Sequence, residues 1–110
     1  MKNPKYRNKK TEIDGILFDS KREAERYRGL KILEKSGVIS GLTMQVKYEL
    51  ISANRRADGK LERSCCYVAD FEYITDGKKV TEDCKGYRTP DYIIKRKLML
   101  SVHGITIKET

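Results

Sequence analysis

A single turn brings two carboxylates and a lysine together in this chain. The segment Tyr67-Val-Ala-Asp-Phe-Glu-Tyr-Ile-Thr-Asp-Gly-Lys-Lys-Val-Thr-Glu-Asp-Cys-Lys85 has Asp76-Gly77 near its centre. That dipeptide favours a two-residue type I′ hairpin, because both central positions need positive φ. Thr75 then pairs with Lys78, partner numbers sum to 153, and Asp70 falls opposite Asp83. Opposed Cβ atoms stand about 4.5–5.5 Å apart, a spacing at which like charges destabilise a sheet. Lys85, two residues beyond Asp83, lies on the same face as both acids. Two acids forced together beside one lysine need more positive charge, and a divalent metal would supply it. Carboxylates plus waters suit Mg²⁺ or Mn²⁺ rather than zinc. Such an ion polarises a phosphoryl oxygen and lowers the pKa of a bound water. Lys85 then orients that water or neutralises charge on the pentacovalent transition state. The competing reading is that Lys85 only neutralises two exposed acids on a sheet surface.

Strand alternation separates Asp83 from its neighbour Glu82. Asp83 shares a face with Lys85, whereas Glu82 shares one with Val80 and Cys84. A bulge would break this register and promote Glu82 instead; Asp83 is preferred. A third acid, Glu23, falls on one helical stripe with Tyr27 at i+4 and Leu30 at i+7. An acid on a core-facing stripe is costly without a partner. The alternative is that Glu23 only completes a capping box with Ser20.

These residues need elements to position them. Asp14-Gly15 marks a short hairpin within Ile13-Asp-Gly-Ile-Leu-Phe18, leading into a helix that starts at Ser20-Lys-Arg-Glu23 and runs to about Lys35, where Ser36-Gly37 ends it. Met44, Val46, Tyr48 and Leu50 alternate with polar residues, the period of a strand. Asp58-Gly59 marks the next reversal, followed by strands over about Leu61 to Ile74 and Lys79 to Lys85. On the first of these, Tyr67, Ala69, Phe71 and Tyr73 form one face, expected to pack under the helices. Thr89 and Pro90 read as N-cap and first residue of a second helix, which stops at His103-Gly104, and Ile105-Thr-Ile-Lys returns as a last strand. The expected order is αβββαβ: a short mixed sheet flanked by helices.

Composition narrows the classes. The chain has 110 residues, enough for one small domain. Residues 1–10 form a basic, disordered arm in this reading, and residues 11–110 the domain. Lys and Arg number 24 against 16 acids, a net charge of +8 that suits a polyanionic partner; a merely solvated basic face is the plainer account. No apolar run approaches the roughly 20 residues that span a bilayer, and no secretory signal opens the chain, so no membrane partner is expected. Cys65, Cys66 and Cys84 are an odd set without zinc spacing, pointing to a reducing cytosol. His103, in the last helical turn, suits the helix dipole better than catalysis.

Taken together, Glu23 on a first helix, Asp70 on a strand, Asp83-Cys84-Lys85 after a hairpin, then a helix and a strand resemble the PD-(D/E)XK nuclease superfamily. The segments Phe18-Asp-Ser-Lys-Arg-Glu-Ala-Glu-Arg-Tyr27, Tyr67-Val-Ala-Asp-Phe71, Glu82-Asp-Cys-Lys-Gly86 and Thr89-Pro-Asp-Tyr92 look like those of a small phage-encoded family similar to archaeal-type Holliday junction resolvases. The resemblance covers about residues 11–108 and implies a restriction-endonuclease-like core. It implies that Asp70, Asp83 and Glu23 ligate the metal together with the backbone carbonyl of Cys84. Lys85 would be the catalytic lysine and Gln45 an auxiliary polar group. The superfamily often has proline before its first acid and glutamate as its second; here Ala69 precedes Asp70, and Asp83 takes the place of the glutamate.

The function implied is a Mg²⁺- or Mn²⁺-dependent endonuclease of phage or prophage origin acting on branched or structured DNA in the host cytoplasm. It would work as a homodimer, with phage replication or recombination proteins as possible partners. Lys9, Lys10, Arg88, Lys95, Arg96 and Lys97 would hold phosphates, or else be solvated charges. Two alternatives stand beside it. One is a non-catalytic nucleic-acid-binding protein that retains the fold. The other is a nuclease subunit active only within a phage replication or packaging complex.

Overall fold

Asp14-Gly15 and Asp76-Gly77 turn the chain as their types demand, with φ of 54° and 76° in the first pair and 52° and 73° in the second. The computed structural model describes residues 10–110; Lys9 and the rest of the basic arm before Lys10 lie outside the described residues. Around the first turn pair β1 (Thr11–Ile13) and β2 (Ile16–Phe18). Helix α1 (Lys21–Lys35) follows, capped by Ser20, whose Oγ accepts the Glu23 N–H at 3.1 Å. Next come β3 (Ser40–Ile51), the small hairpin β4 (Asn54–Arg55) and β5 (Leu61–Glu62), then β6 (Cys65–Thr75), β7 (Lys78–Asp83), α2 (Pro90–His103) and β8 (Lys108–Glu109). Thr89 caps α2, and Gly104 ends it in the left-handed conformation at φ 69°.

The main sheet has the order β3-β6-β7-β8, antiparallel except for the parallel pair β7–β8. The protein is therefore mixed α/β, with two helices and a mixed sheet. Three boundaries differ from the expectation. The strand expected over Leu61 to Ile74 is split, because β5 belongs to its own hairpin and β6 begins at Cys65. The strand expected to reach Lys85 stops at Asp83, since the Cys84 N–H goes to the Asp70 carboxylate at 2.8 Å instead of a strand carbonyl. The last strand falls at Lys108–Glu109 rather than over Ile105 to Lys108; Ile107 is consumed by the core.

One register was legible and one face was not. β6 and β7 pair from Thr75↔Lys78 to Phe71↔Glu82, the register fixed by the two-residue turn. The ladder ends there, one step before Asp70 and Asp83. Tyr67, Ala69, Phe71 and Tyr73 do not share one environment. Phe71 and Tyr73 pack with Ala24, Tyr27 and Leu30 of α1, whereas Tyr67 and Ala69 pack with Tyr92 and Met99 of α2. On β7, Glu82 meets Arg26 of α1, and the next residue, Asp83, meets Tyr67 on the α2 side. Consecutive strand residues point to opposite faces, so the helices cover opposite faces of the sheet. The odd-numbered residues of β6 change helix across Asp70. Facing that point on β3 is Gln45, between Met44 (paired with Phe71) and Val46 (paired with Ala69), with φ of 55°. A non-glycine residue there is uncommon and breaks strict alternation locally.

Candidate active site

The exchange of faces opens a groove of about 410 Å³ between the first turns of the two helices. Ser20 and Glu23 line it from α1, Tyr67 and Asp70 from β6, Asp83 and Lys85 from the end of β7, and Thr89, Tyr92 and Lys95 from α2. Glu23 is there because the residue that Ser20 caps is also the one its helix turns toward the sheet.

Each acid has a distinct setting. Asp83 is buried to 3% exposure; the Tyr67 hydroxyl donates to its Oδ2, and Lys85 Nζ stands 3.4 Å from its Oδ1. The Lys85 ammonium in turn lies 4.3 Å from the centre of the Tyr92 ring, a favourable face for a cation. Burial, with the charges of Asp83 and Glu23 added, pushes the Asp70 carboxyl up to about 7 against the Cys84 N–H that it accepts. Burial likewise raises Glu23, with Asp19 and Asp83 contributing, against the opposing influence of the neighbouring Asp70 and Gln45. Gln45 Nε2 donates to Glu23 Oε2 at 3.3 Å. Glu23 and Asp70 both line the groove, and the charge of Glu23 contributes to raising Asp70.

Glu82 faces elsewhere. It is fully buried, and Arg26 reaches it through Nε at 2.9 Å and Nη2 at 2.5 Å, while the Tyr73 hydroxyl donates to Oε2. Burial pushes Glu82 up, but Arg26 and Tyr73 outweigh it and hold the carboxyl below its usual range. This triad joins α1 to β7 on the face away from Asp83.

The cations expected to meet phosphates separate into groups. Lys95 lines the groove. Lys10 pairs with Asp19 on its lip at 3.6 Å. Arg88 and Arg96 both go to Glu109, at 2.8 and 2.9 Å, and the Tyr92 hydroxyl joins them at 2.7 Å. These two arginines brace β8. Lys97 lines a separate small pocket beside Leu100 and Ile107. His103 meets the Glu49 carbonyl and the Tyr48 ring, away from the groove.

Sequence reasoning missed Tyr67 and Tyr92 as supports of Asp83 and Lys85. Their only signal was a tyrosine at a core position, since a buried hydroxyl seeks a partner. It also missed Arg26, whose partner lies 56 residues away.

The donors on the groove are carboxylate oxygens, which suit an oxygen-preferring cation such as Mg²⁺ or Mn²⁺. Burial raises both Glu23 and Asp70, and a cation among these carboxylates would offset that cost, so the residues fit the group chemically. Among the described residues, no three His, Cys, Asp or Glu side chains form a ready-made ligand shell. No helix among them is long and apolar enough to cross a membrane.

A protein family described as "Protein of unknown function (DUF1064)" matches residues 3–107, and the chain belongs to it. No curated protein and no solved structure matches the chain.

Proposed function

We propose that this protein is a metal-dependent endonuclease with a restriction-endonuclease-like core of the PD-(D/E)XK type, hydrolysing phosphodiester bonds in branched or structured DNA. The observation that carries this reading is the convergence of Glu23, Asp70, Asp83 and Lys85 on one groove from α1, β6 and the end of β7. The order α1-β3-β6-β7-α2-β8, taking the two helices and the strands of the four-stranded sheet, supports it. Branched DNA, phage origin and a two-fold dimer rest on the likeness to archaeal-type Holliday junction resolvases, for which symmetry would set two sites on two strands.

A bound Mg²⁺ or Mn²⁺ would supply Lewis acidity to the phosphoryl oxygen and make an attacking water more acidic. Asp70, Asp83 and Glu23 would hold it, with the Cys84 carbonyl beside them. Tyr67 fixes the Asp83 carboxylate so that it does not rotate away. Lys85, steadied by the Tyr92 ring, offers its ammonium to charge growing on the phosphoryl group. Glu23, from the first turn of α1, would hold the ion or position the attacking water.

One observation favours a second reading. Asp83 has both oxygens engaged, by Tyr67 and Lys85, and Asp70 accepts the Cys84 N–H, so the acids are satisfied as they stand. A non-catalytic nucleic-acid-binding protein would need no more. Cleavage of four-way-junction, flap, linear and single-stranded DNA, with and without Mg²⁺ or Mn²⁺, decides between them. The expected result is metal-dependent cleavage of at least one substrate, reduced 10²-fold or more by Asp83→Asn. No cleavage of any substrate, with salt-sensitive binding indifferent to Asp83→Asn, supports the binding protein.

A further inference from the structure

The ribbon β4–β5 stands apart from everything described above. Residues 51–64 are all exposed, Leu61 included. The hairpin is held by its own groups: the Arg56 N–H donates to the Lys60 carbonyl at 2.8 Å, the Gly59 N–H to the Arg56 carbonyl at 2.9 Å, and the Lys60 N–H to Asp58 Oδ1 at 3.0 Å. A two-stranded hairpin with no buried side is marginal in water, so core packing does not account for it.

Its charges are arranged unevenly. Both acids go to one arginine, since Arg56 pairs with Asp58 at 2.6 Å and with Glu62 at 3.6 Å. Arg55 reaches only the Gly59 carbonyl, at 3.0 Å. Arg55, Lys60 and Arg63 therefore have no carboxylate partner among the described residues. Arg88 and Arg96, by contrast, are both committed to Glu109.

The ribbon is also joined closely to the groove along the chain. It leads through residues 63–64 into β6, whose second to fourth residues, Cys66, Tyr67 and Val68, line the groove. Along the chain, Arg63 is seven residues and Lys60 ten residues from Asp70. At ~3.3 Å per extended residue these spans reach at most about 23 and 33 Å. One turn of duplex advances roughly 34–36 Å, and the major groove admits a two-stranded ribbon.

We propose that the β4–β5 ribbon is a duplex-gripping arm, with Arg55, Lys60 and Arg63 on the backbone phosphates of DNA up to one helical turn from the phosphodiester in the groove. The inference rests on the reading that the groove takes a phosphodiester. Contacts of this kind fix position and carry little sequence information. They give an arm that measures duplex beside the reacting site, so the preferred substrate carries double-stranded DNA on the ribbon side.

The test is equilibrium binding in EDTA to a 30-base-pair duplex, a four-way junction and a single strand of the same length, between 50 and 200 mM salt. It compares wild type with the triple variant Arg55→Gln/Lys60→Gln/Arg63→Gln. Each phosphate contact contributes about 0.9 to the slope of log K against log salt on duplex. The slope should therefore fall by about 2.7, and affinity for duplex and junction should fall tenfold or more, with single-strand binding affected less. The charge-keeping variant Arg55→Lys/Lys60→Arg/Arg63→Lys should bind as wild type, and circular dichroism should show all three proteins equally folded. An unchanged slope in the triple variant overturns the arm, as does an equal loss on single strand and duplex. Metal-free binding does not call on the carboxylates, so it separates the two readings. A wild type that never cleaves but loses duplex binding with the triple variant keeps the arm and loses the nuclease. One that cleaves and is indifferent to the triple variant keeps the nuclease and loses the arm.

Discussion

Asp70 accepts the Cys84 N–H and still carries a cost of burial. Its carboxyl sits at about 7, chiefly because it is buried and then because Asp83 and Glu23 stand near. The unfolded value is near 3.9, so the folded chain holds this proton more tightly than the unfolded one. Between about pH 4 and 7 the native state binds more protons, and stability falls as pH rises through that window. The penalty is complete above about pH 7 and absent below about pH 4. Asp70→Asn keeps an oxygen for the Cys84 N–H and removes the charge. That variant should exceed wild type in urea midpoint at pH 8 and lose the advantage at pH 4. Saturating Mg²⁺ should narrow the gap at pH 8 by stabilising wild type about 2.7 kcal/mol at a hundred times its Kd, with a smaller effect on Asp70→Asn. A gap that is constant with pH would remove Asp70 from the acidic cluster.

Among the elements, α1 is bound to the sheet by more than its apolar stripe. Arg26, Glu82 and Tyr73 lock it to β7 from the face opposite the groove. Removing one partner of a buried pair leaves an uncompensated charge and costs about 3–5 kcal/mol. Arg26→Ala should lose stability on that order in urea at pH 7, and Glu82→Gln added to it should recover part. Glu82 is held below its ordinary value, so the stability it lends is present above about pH 4.5 and lost as pH falls through its folded value. The deficit of Arg26→Ala should therefore narrow in acid, and a deficit constant to pH 3 would mean that lost packing, not charge, dominates.

The same elements mark how far the sequence could be read. Glu23 was legible because capping and helical spacing are local, and the β6–β7 register because two turn residues determine every pair after them. The change of helix along β6 was not legible. It coincides with a left-handed Gln45 on a neighbouring strand, a residue type that carries no turn signal of its own. The Arg26–Glu82 pair was hidden for another reason: nothing local in either residue names a partner 56 positions away.

At the scale of the whole molecule, the last strand completes the site from behind. The Thr110 N–H donates to the Asp83 carbonyl at 3.0 Å, and the Lys85 N–H donates to the Thr110 carbonyl at 3.2 Å. Glu109 gathers Arg88, Arg96 and Tyr92, and the Tyr92 hydroxyl bond is the chief reason its carboxyl is held at about 2. Glu109→Ala should raise amide exchange at Lys85 and Thr110 while α1 stays protected. Equal exchange across the chain would mean that β8 is held by its ladder alone.

The parallel pairing of β7 with β8 also sets a clock. Residues 82–85 are made early, but their backbone is not closed until Lys108 to Thr110 arrive alongside. Until those residues are in place, both acids and the lysine sit on an open strand end. The acids and the lysine near residues 83–85 thus depend for their backbone closure on a segment made a whole helix later.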